Sequence, residues 1–195
     1  RPNILFIMAD DHTTQAFQSY GSRLAGVAPT SNINRLAADG ARLTQVYATN
    51  SICVPSRASI LTGQYSHRNG VYTLRDSLSP KHPNVAKELQ EAGYQTALMG
   101  KWHLKTQPRG FDAWTVLPEQ GRFFDPRFRT DGSDTLRTYS GFSADVIANL
   151  SLNWLQRERN EDQPFVLMTH FKASHEAFLG EAPINIAVCA DPERS

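Results

Sequence analysis

The chain has 195 residues, of which 40% are hydrophobic and 20% are charged, and its formal net charge at pH 7 is +1. This composition is that of one globular domain with a hydrophobic core, and it excludes disordered and fibrous proteins. The near-neutral charge contains no long run of one sign, so nucleic acid is not expected as a partner. No segment approaches the roughly 18 apolar residues of a transmembrane helix, so no membrane span is expected. Two cysteines, Cys53 and Cys189, are too few to suggest a framework of disulfides.

The chain opens on a strand-like segment. Residues 3–9, Asn-Ile-Leu-Phe-Ile-Met-Ala, form a continuous apolar run that is typical of a strand buried on both faces. Asp10 and Asp11 follow, and two adjacent carboxylates repel each other unless a cation or a shared proton relieves the repulsion. A hard divalent cation fits best, and calcium, for example, takes about six to eight oxygen ligands and would need more than this pair. Such a pair also occurs in helix caps and solvated loops.

A helix and a second strand are predicted next. Residues 30–32, Thr-Ser-Asn, are placed to cap a helix, which ends at residues 39–40, Asp-Gly, with a suitable C-terminal glycine. Residues 42–48 are then predicted as a strand.

Cys53 lies in the polar loop of residues 49–54, which leads to Pro55 and a predicted helix that ends at Gly63. Cys53 is therefore expected just before a helix N-terminus, where free backbone amides favour anions. Arg57 follows one turn into the helix, which completes an anion-binding setting. A buried structural thiol is an equally ordinary interpretation of this cysteine.

The second half of the chain adds two further pairs of helix and strand. The predicted helices are residues 84–92 and 143–159, and the strands that follow them are residues 94–99 and 164–171. Residues 105–138 are rich in proline, glycine, charged and aromatic residues without a clear period, and are predicted as a long surface excursion.

Polar groups follow these strands. Lys101 would offer a fixed positive charge and His103 a proton donor toward one anion. His170 is also explained as a core histidine, so His175 is the better candidate.

Alternating strands and helices predict an α/β fold with a mainly parallel sheet, and such sheets bind ligands beyond the carboxyl ends of their strands. One edge of the sheet is therefore expected to gather Asp10 with Asp11, Cys53 with Arg57, Lys101 with His103, and His170 with His175.

Four motifs in this chain resemble those of type I sulfatases. Residues 53–65, Cys-Val-Pro-Ser-Arg-Ala-Ser-Ile-Leu-Thr-Gly-Gln-Tyr, contain the Cys-x-Pro-x-Arg core of the family signature. Residues 1–11 are similar to the family's first strand and metal pair, and residues 100–104, Gly-Lys-Trp-His-Leu, to its second signature. Residues 170–175 resemble a later motif. The resemblance covers about the first 178 residues and implies an alkaline phosphatase-like fold, with a mainly parallel, mixed sheet between helices on both faces.

The resemblance also implies a sulfuric ester hydrolase. A maturation enzyme would oxidise Cys53 to formylglycine, and one hydroxyl of the hydrated aldehyde would attack sulfur while the second later expels sulfate. Asp10, Asp11 and the oxygen of residue 53 would bind one calcium ion, which lowers the pKa of the hydroxyl. Arg57 would hold the diol. The sulfate or the leaving group would be contacted by Lys101, His103 and His175.

Other segments resemble bacterial sulfatases of glycosaminoglycans, particularly those that remove 6-O-sulfate from N-acetylglucosamine. These segments are residues 11–12, 20–21, 65–70, 110–112 and 117–121. The implied partners are a sulfated carbohydrate and a formylglycine-generating enzyme. The implied location is periplasmic or secreted, or lysosomal in a eukaryote.

Sulfatases of this type are usually more than twice as long and complete the calcium site with a late Asp-Asn or Asp-His pair. Residues 1–178 are therefore expected to be a partial catalytic domain with weak or absent activity on its own. Residues 179–195 form an atypical tail, in which residues 181–191 are predicted as an additional strand or a foreign segment with a faint similarity to flavin nitroreductases. Two rival functions stay open: a phosphodiesterase or phosphonate hydrolase of the same superfamily, and a non-catalytic fragment that binds sulfated glycan.

Overall fold

The computed structural model of the protein describes residues 1–175. Their strands are β1 Ile4–Met8, β2 Gln95–Lys101, β3 Ala113–Leu117, β4 Arg127–Thr130, β5 Leu136–Thr138 and β6 Phe165–His170. Their helices are α1 Ser31–Asp39, α2 Cys53–Thr62, α3 Ser66–Asn69, α4 Val85–Glu91 and α5 Ser143–Asn153. Short 3-10 turns occur at Thr14–Ala16 and Gln18–Tyr20, and a π turn, Trp154–Glu158, continues α5.

The strands form one mixed sheet in the order β1-β6-β2-β3-β4-β5. The first four strands in this order run parallel, and β4 and β5 add an antiparallel margin. Parallel strands need long crossover connections. Helices α1 to α4 lie in the connection from β1 to β2, and α5 lies in the connection from β5 to β6. The predicted α/β fold with a mainly parallel sheet is confirmed.

Successive residues of β2 show how the sheet separates two helical layers. Leu98 belongs to a buried cluster with Val54 and Ala58 of α2, on one face. Met99 belongs to a second cluster with Trp154, at the end of α5, on the other face. Neighbouring strand residues point to opposite faces of a sheet, so helices cover both faces as predicted.

Strands β2 and β6 approach each other closely at Gly100, which pairs with His170 and has a φ of +105°. A Cβ atom at this position would lie 2.0 Å from the His170 carbonyl oxygen, so only glycine fits. The close approach places the ends of the two strands side by side. His170 Nδ1 lies 3.2 Å from the Lys101 carbonyl oxygen.

Two predictions for loops and strands are wrong. Residues 42–48 form no strand, and Leu43, Val46 and Tyr47 are between 67% and 81% exposed. An apolar-rich segment becomes a strand only when a neighbouring strand pairs with it, and none does within the described residues. Residues 105–138, predicted as a surface excursion, contain β3, β4 and β5, whose short lengths leave little periodic signal.

The burial predicted for β1 is also wrong. Leu5 is 51% and Ile7 is 57% exposed, because within residues 1–175 this strand lies at the edge of the sheet with one face uncovered. The other predicted helices and strands lie within about two residues of their observed ends, apart from the π turn that finishes the α5 segment.

No helix in residues 1–175 combines the length and the apolar composition that a bilayer crossing requires. The strand predicted at residues 181–191 and the boundary at residue 178 lie outside the described residues.

Candidate active site

Helix α2 carries Cys53 and Arg57 to the carboxyl edge of the sheet. Cys53 is the first residue of this helix, whereas the sequence predicted it just before the helix N-terminus. Ile52 precedes it as the N-cap, and no side chain caps the helix. An uncapped helix N-terminus keeps amide donors available to an anion.

Asp10 lies between two cations. Its Oδ1 accepts a hydrogen bond from Arg57 Nη2 at 3.1 Å, and its Oδ2 accepts one from Lys101 Nζ. Arg57 also donates from Nη1 to the Lys101 carbonyl oxygen at 2.6 Å. All three side chains are buried, and we call them the ion cluster. One carboxylate and two cations give this cluster a formal charge of +1.

The ion cluster fixes the protonation state of Asp10. Burial alone would raise the pKa of this carboxyl group, but the charge of Arg57 and the hydrogen bond and charge of Lys101 together bring the pKa below its usual value. Asp10 is therefore a carboxylate at neutral pH and is suited to bind a cation rather than to donate a proton.

Asp10, Cys53 and His175 converge on one point. One ligand atom of each residue lies within 4.8 Å of the ligand atoms of the other two. Asp11, which has a φ of +55°, places its Oδ2 3.8 Å from His175 Nε2. The end of β1 is held there because Asp10 N donates to the Ala173 carbonyl oxygen at 3.1 Å.

The Cys53 thiol is a weak nucleophile in this setting. Burial raises its pKa, and the negative charge of Asp10 raises it further, against the smaller opposing effect of Lys101. The thiol therefore stays protonated at neutral pH, although the residue occupies a central position in the site.

His103 is buried beside the ion cluster, and its Nδ1 has no hydrogen-bond partner among the described residues. Burial, with added effects of Lys101 and Arg57, lowers the pKa of His103 to about 4. The imidazole is neutral at pH 7, and an anion bound beside it would raise that pKa and favour the protonated form.

His170 is a buried core histidine, which is one of the two interpretations that the sequence left open. Burial lowers its pKa to about 3, and its ring meets the edge of Phe6 at a centroid distance of 5.8 Å. Its Nδ1 contact with the Lys101 backbone helps to fix the end of β2.

A cleft of about 920 Å³ opens at this edge of the sheet. It is lined by Asp10, Cys53 and Arg57 and by the exposed rings of Tyr47 and Tyr65, whereas His103 lines a separate, smaller pocket. The segment that was predicted as a strand therefore forms part of the cleft wall.

Gln120 was not among the predicted site residues, yet its Oε1 accepts a hydrogen bond from Lys101 Nζ at 2.6 Å. It lies just beyond the carboxyl end of β3, and this position is the signal that could have identified it.

Residues 2–187 match the family model described as Sulfatase. The chain is 42% identical over 191 residues to the N-acetylglucosamine-6-O-sulfatase of Bacteroides thetaiotaomicron, an alignment that covers 96% of this chain and 33% of that protein. It is 40% identical over 129 residues to arylsulfatase G of Rattus norvegicus, covering 60% of this chain and 24% of that protein.

A solved structure of a protein bound to its substrate, D-glucosamine-2-N,6-O-disulfate, superposes with a TM-score of 0.86 at 43% identity. The match covers 92% of this chain and 36% of that chain. The chain thus spans about a third of the length of the bacterial N-acetylglucosamine-6-O-sulfatase and of the protein in this solved structure. Because the family model matches residues 2–187 of this chain and the fold is shared with the solved structure, the chain belongs to the sulfatase family.

Proposed function

We propose that the polypeptide containing this chain hydrolyses the sulfate ester of a sulfated carbohydrate, with residue 53 supplying the nucleophile after conversion to formylglycine. The observation that carries the proposal is the position of Cys53 in a sulfatase-family chain. It lies at an uncapped helix N-terminus, within 4.8 Å of ligand atoms of Asp10 and His175, and in the lining of a cleft.

The residues present fit a calcium ion. Asp10 is ionised, and Cys53 Sγ occupies the position from which an oxygen of the modified residue would reach the same ion. Asp10, Asp11 and that oxygen would hold calcium, whereas the nitrogen of His175 is better suited to the sulfate because calcium prefers oxygen donors. When bound, calcium supplies positive charge that lowers the pKa of a hydroxyl and offsets the charge of the sulfate.

Lys101 would bind and orient the sulfate group, and Arg57 would hold the diol of residue 53. Arg57 and Lys101 are held by hydrogen bonds, so their positive charge needs little rearrangement when negative charge develops in the transition state. The leaving alcohol needs a proton, and the imidazoles of His103 and His175 are the two groups proposed to pass it.

The finer substrate that we propose is 6-O-sulfated N-acetylglucosamine within a glycosaminoglycan. Support comes from 42% identity to an N-acetylglucosamine-6-O-sulfatase along 96% of this chain. The periplasmic or secreted location stays a prediction.

Mass spectrometry and turnover together test the proposal. Coexpression with a formylglycine-generating enzyme should reduce the peptide mass at Cys53 by about 18 Da. The matured full polypeptide should then release sulfate from 6-O-sulfated N-acetylglucosamine and from an aryl sulfate, and residues 1–195 alone should do so weakly or not at all.

A Cys53→Ala variant is the matched control and should retain the fold without turnover. Faster hydrolysis of an aryl phosphate diester or an aryl phosphonate monoester than of the aryl sulfate would instead favour a phosphodiesterase or phosphonate hydrolase. If the matured parent and Cys53→Ala both bind the glycan and the matured parent releases no sulfate, a glycan-binding module would be favoured.

A further inference from the structure

The ammonium group of Lys101 is enclosed by protein, since this side chain is 0% exposed. Two acceptors hold it: the charged carboxylate of Asp10 and the neutral amide oxygen of Gln120, the latter at 2.6 Å. An ammonium group has three N–H donors, so two hydrogen bonds leave one donor for a further acceptor. Asp10 brings a negative charge to Lys101, whereas Gln120 brings none.

Asp10 is not a dedicated partner of Lys101. The same carboxylate accepts a hydrogen bond from Arg57, and one of its oxygens lies close to Cys53 Sγ and to the ligand atom of His175. Any cation that Asp10 binds would weaken its attraction for the Lys101 ammonium. Gln120 is different, because among residues 1–175 the hydrogen bond that its Oε1 accepts comes from Lys101 Nζ and not from a second cation.

A tight turn after β3 presents Gln120 to Lys101. The Gly121 amide donates to the Pro118 carbonyl oxygen at 2.9 Å, and Glu119 and Gly121 have φ angles of +49° and +70°. A Cβ atom on Gly121 would lie 2.8 Å from Leu117 Cδ1, so the turn packs directly against the end of the strand. This packing restricts the backbone at Gln120 and thereby the position of its amide oxygen.

The neutrality of Gln120 leaves the net charge of the ion cluster at +1. A carboxylate in its place would also accept the hydrogen bond, but its negative charge would reduce that net charge to zero and weaken the attraction for an anion. An apolar side chain of the same length would keep the charge but leave the buried ammonium with one partner fewer.

We propose that Gln120 is a positioning residue for sulfate ester hydrolysis: its amide oxygen fixes the Lys101 ammonium in place and leaves the net positive charge of the ion cluster to act on the substrate sulfate. This inference rests on the proposed function and adds to it a residue that acts through Lys101.

Two substitutions separate the two parts of this role. Gln120→Met removes the acceptor at similar side-chain length, and Gln120→Glu keeps an acceptor but adds a negative charge. Gln163→Glu makes the same chemical change at an exposed turn and is the matched control. All four proteins are prepared as the full polypeptide, matured and in calcium-containing buffer, and binding of inorganic sulfate is measured by calorimetry.

Both substitutions at Gln120 should raise the dissociation constant of sulfate at least about tenfold, whereas Gln163→Glu should leave it unchanged. Thermal unfolding should show that Gln120→Glu is folded, because the new carboxylate pairs with Lys101. Ammonium-selective 15N NMR adds a readout that does not depend on sulfate, and Gln120→Met should broaden or remove the Lys101 signal.

A merely structural role predicts a different pattern, in which Gln120→Glu binds sulfate like the parent because the hydrogen bond is retained. That result, in a parent that hydrolyses the ester, overturns the inference alone. A parent that neither binds sulfate nor hydrolyses the ester overturns the proposed function and the inference together.

Discussion

Arg57 joins two parts of the site through one guanidinium group. Its Nη1 bonds the backbone of Lys101 and its Nη2 bonds the side chain of Asp10, a geometry that needs the planar fork of arginine. We expect Arg57→Lys to lower the turnover of the matured polypeptide at least about 100-fold and the free energy of unfolding by about 2 kcal/mol.

Sulfate-release kinetics and urea denaturation check both effects. Arg68→Lys, at an exposed position on α3, is the control and should change neither quantity. Wild-type turnover by Arg57→Lys would show that a single ammonium group can replace both contacts.

The lowered pKa of His103 predicts a dependence of stability on pH. Because the folded pKa, about 4, lies below the ordinary value of 6.5, protons bind the unfolded chain more strongly. The stability associated with neutral His103 is therefore fully present above about pH 6.5 and is lost as the pH falls toward 4.

His103→Gln should make the free energy of unfolding less sensitive to pH between 7 and 4.5. Part of the sensitivity should persist, since His170 has a pKa lowered to about 3 in the same direction. Urea titrations at the two pH values measure the effect, with His67→Gln, at an exposed position, as the control. Equal pH sensitivity of parent and His103→Gln would contradict this interpretation.

Some site residues were predictable because a short local pattern carries them. Cys53 and Arg57 lie one turn apart on a helix, and Asp10 follows an unmistakable apolar run, so residue order alone placed them near an edge of the sheet. The hydrogen bond from Lys101 to Gln120 spans 19 residues and depends on the shape of a turn. Gln120 was missed because β3 was not predicted, so its position just beyond the carboxyl end of that strand could not be recognised from the sequence.

The pairing of β2 with β6 depends on the missing side chain of Gly100. We expect Gly100→Ala to push the strands apart, because its Cβ would lie 2.0 Å from the His170 carbonyl oxygen. The free energy of unfolding should fall by about 3 kcal/mol or more, or the chain should fail to fold.

Soluble yield and thermal unfolding measure this loss. Gly26→Ala is the control, because nothing lies within 4 Å of a Cβ at that position. Comparable losses in both variants would mean that the close approach of the two strands is not what makes Gly100 necessary.

A helix was predictable where one face is apolar at a regular spacing, as in residues 84–92, which correspond to α4. A strand was predictable where an apolar run is continuous, as in residues 164–171, which correspond to β6. Residues 42–48 have a similar composition without a pairing strand in the described part of the chain, and β4 and β5 are too short to show a period. Pairing between strands is a tertiary property, so composition alone misplaced these segments.

On the scale of the whole molecule, β1 has an uncovered apolar face. Leu5 and Ile7 lie two residues apart, so they point to the same side of a strand that pairs with β6 alone within residues 1–175. Exposed apolar edge strands favour self-association. We therefore expect Ile7→Lys to reduce the self-association of residues 1–195 severalfold.

Sedimentation velocity at several concentrations measures the change. Leu152→Lys, at a similarly exposed apolar residue on α5, is the matched control because 49% of Leu152 is exposed but it lies on no strand edge. An equal effect of both substitutions would assign self-association to general surface hydrophobicity instead of to β1.

The fold class was predictable because the alternation of helix and strand persists through the chain. The bare face of β1 was not, because a continuous apolar run looks the same whether its covering layer is contained in the chain or not.

Anion binding at the ion cluster also makes the stability of the folded chain depend on the anion concentration in solution. Its formal charge of +1 is buried, and an anion that binds the folded chain but not the unfolded one adds RT ln(1 + [L]/Kd) to stability. At a free sulfate concentration of 100 times Kd this increment is about 2.7 kcal/mol. The ion that the proposed reaction releases would thus protect the catalyst from unfolding while it occupies the site, so product accumulation would slow the enzyme and preserve it at the same time.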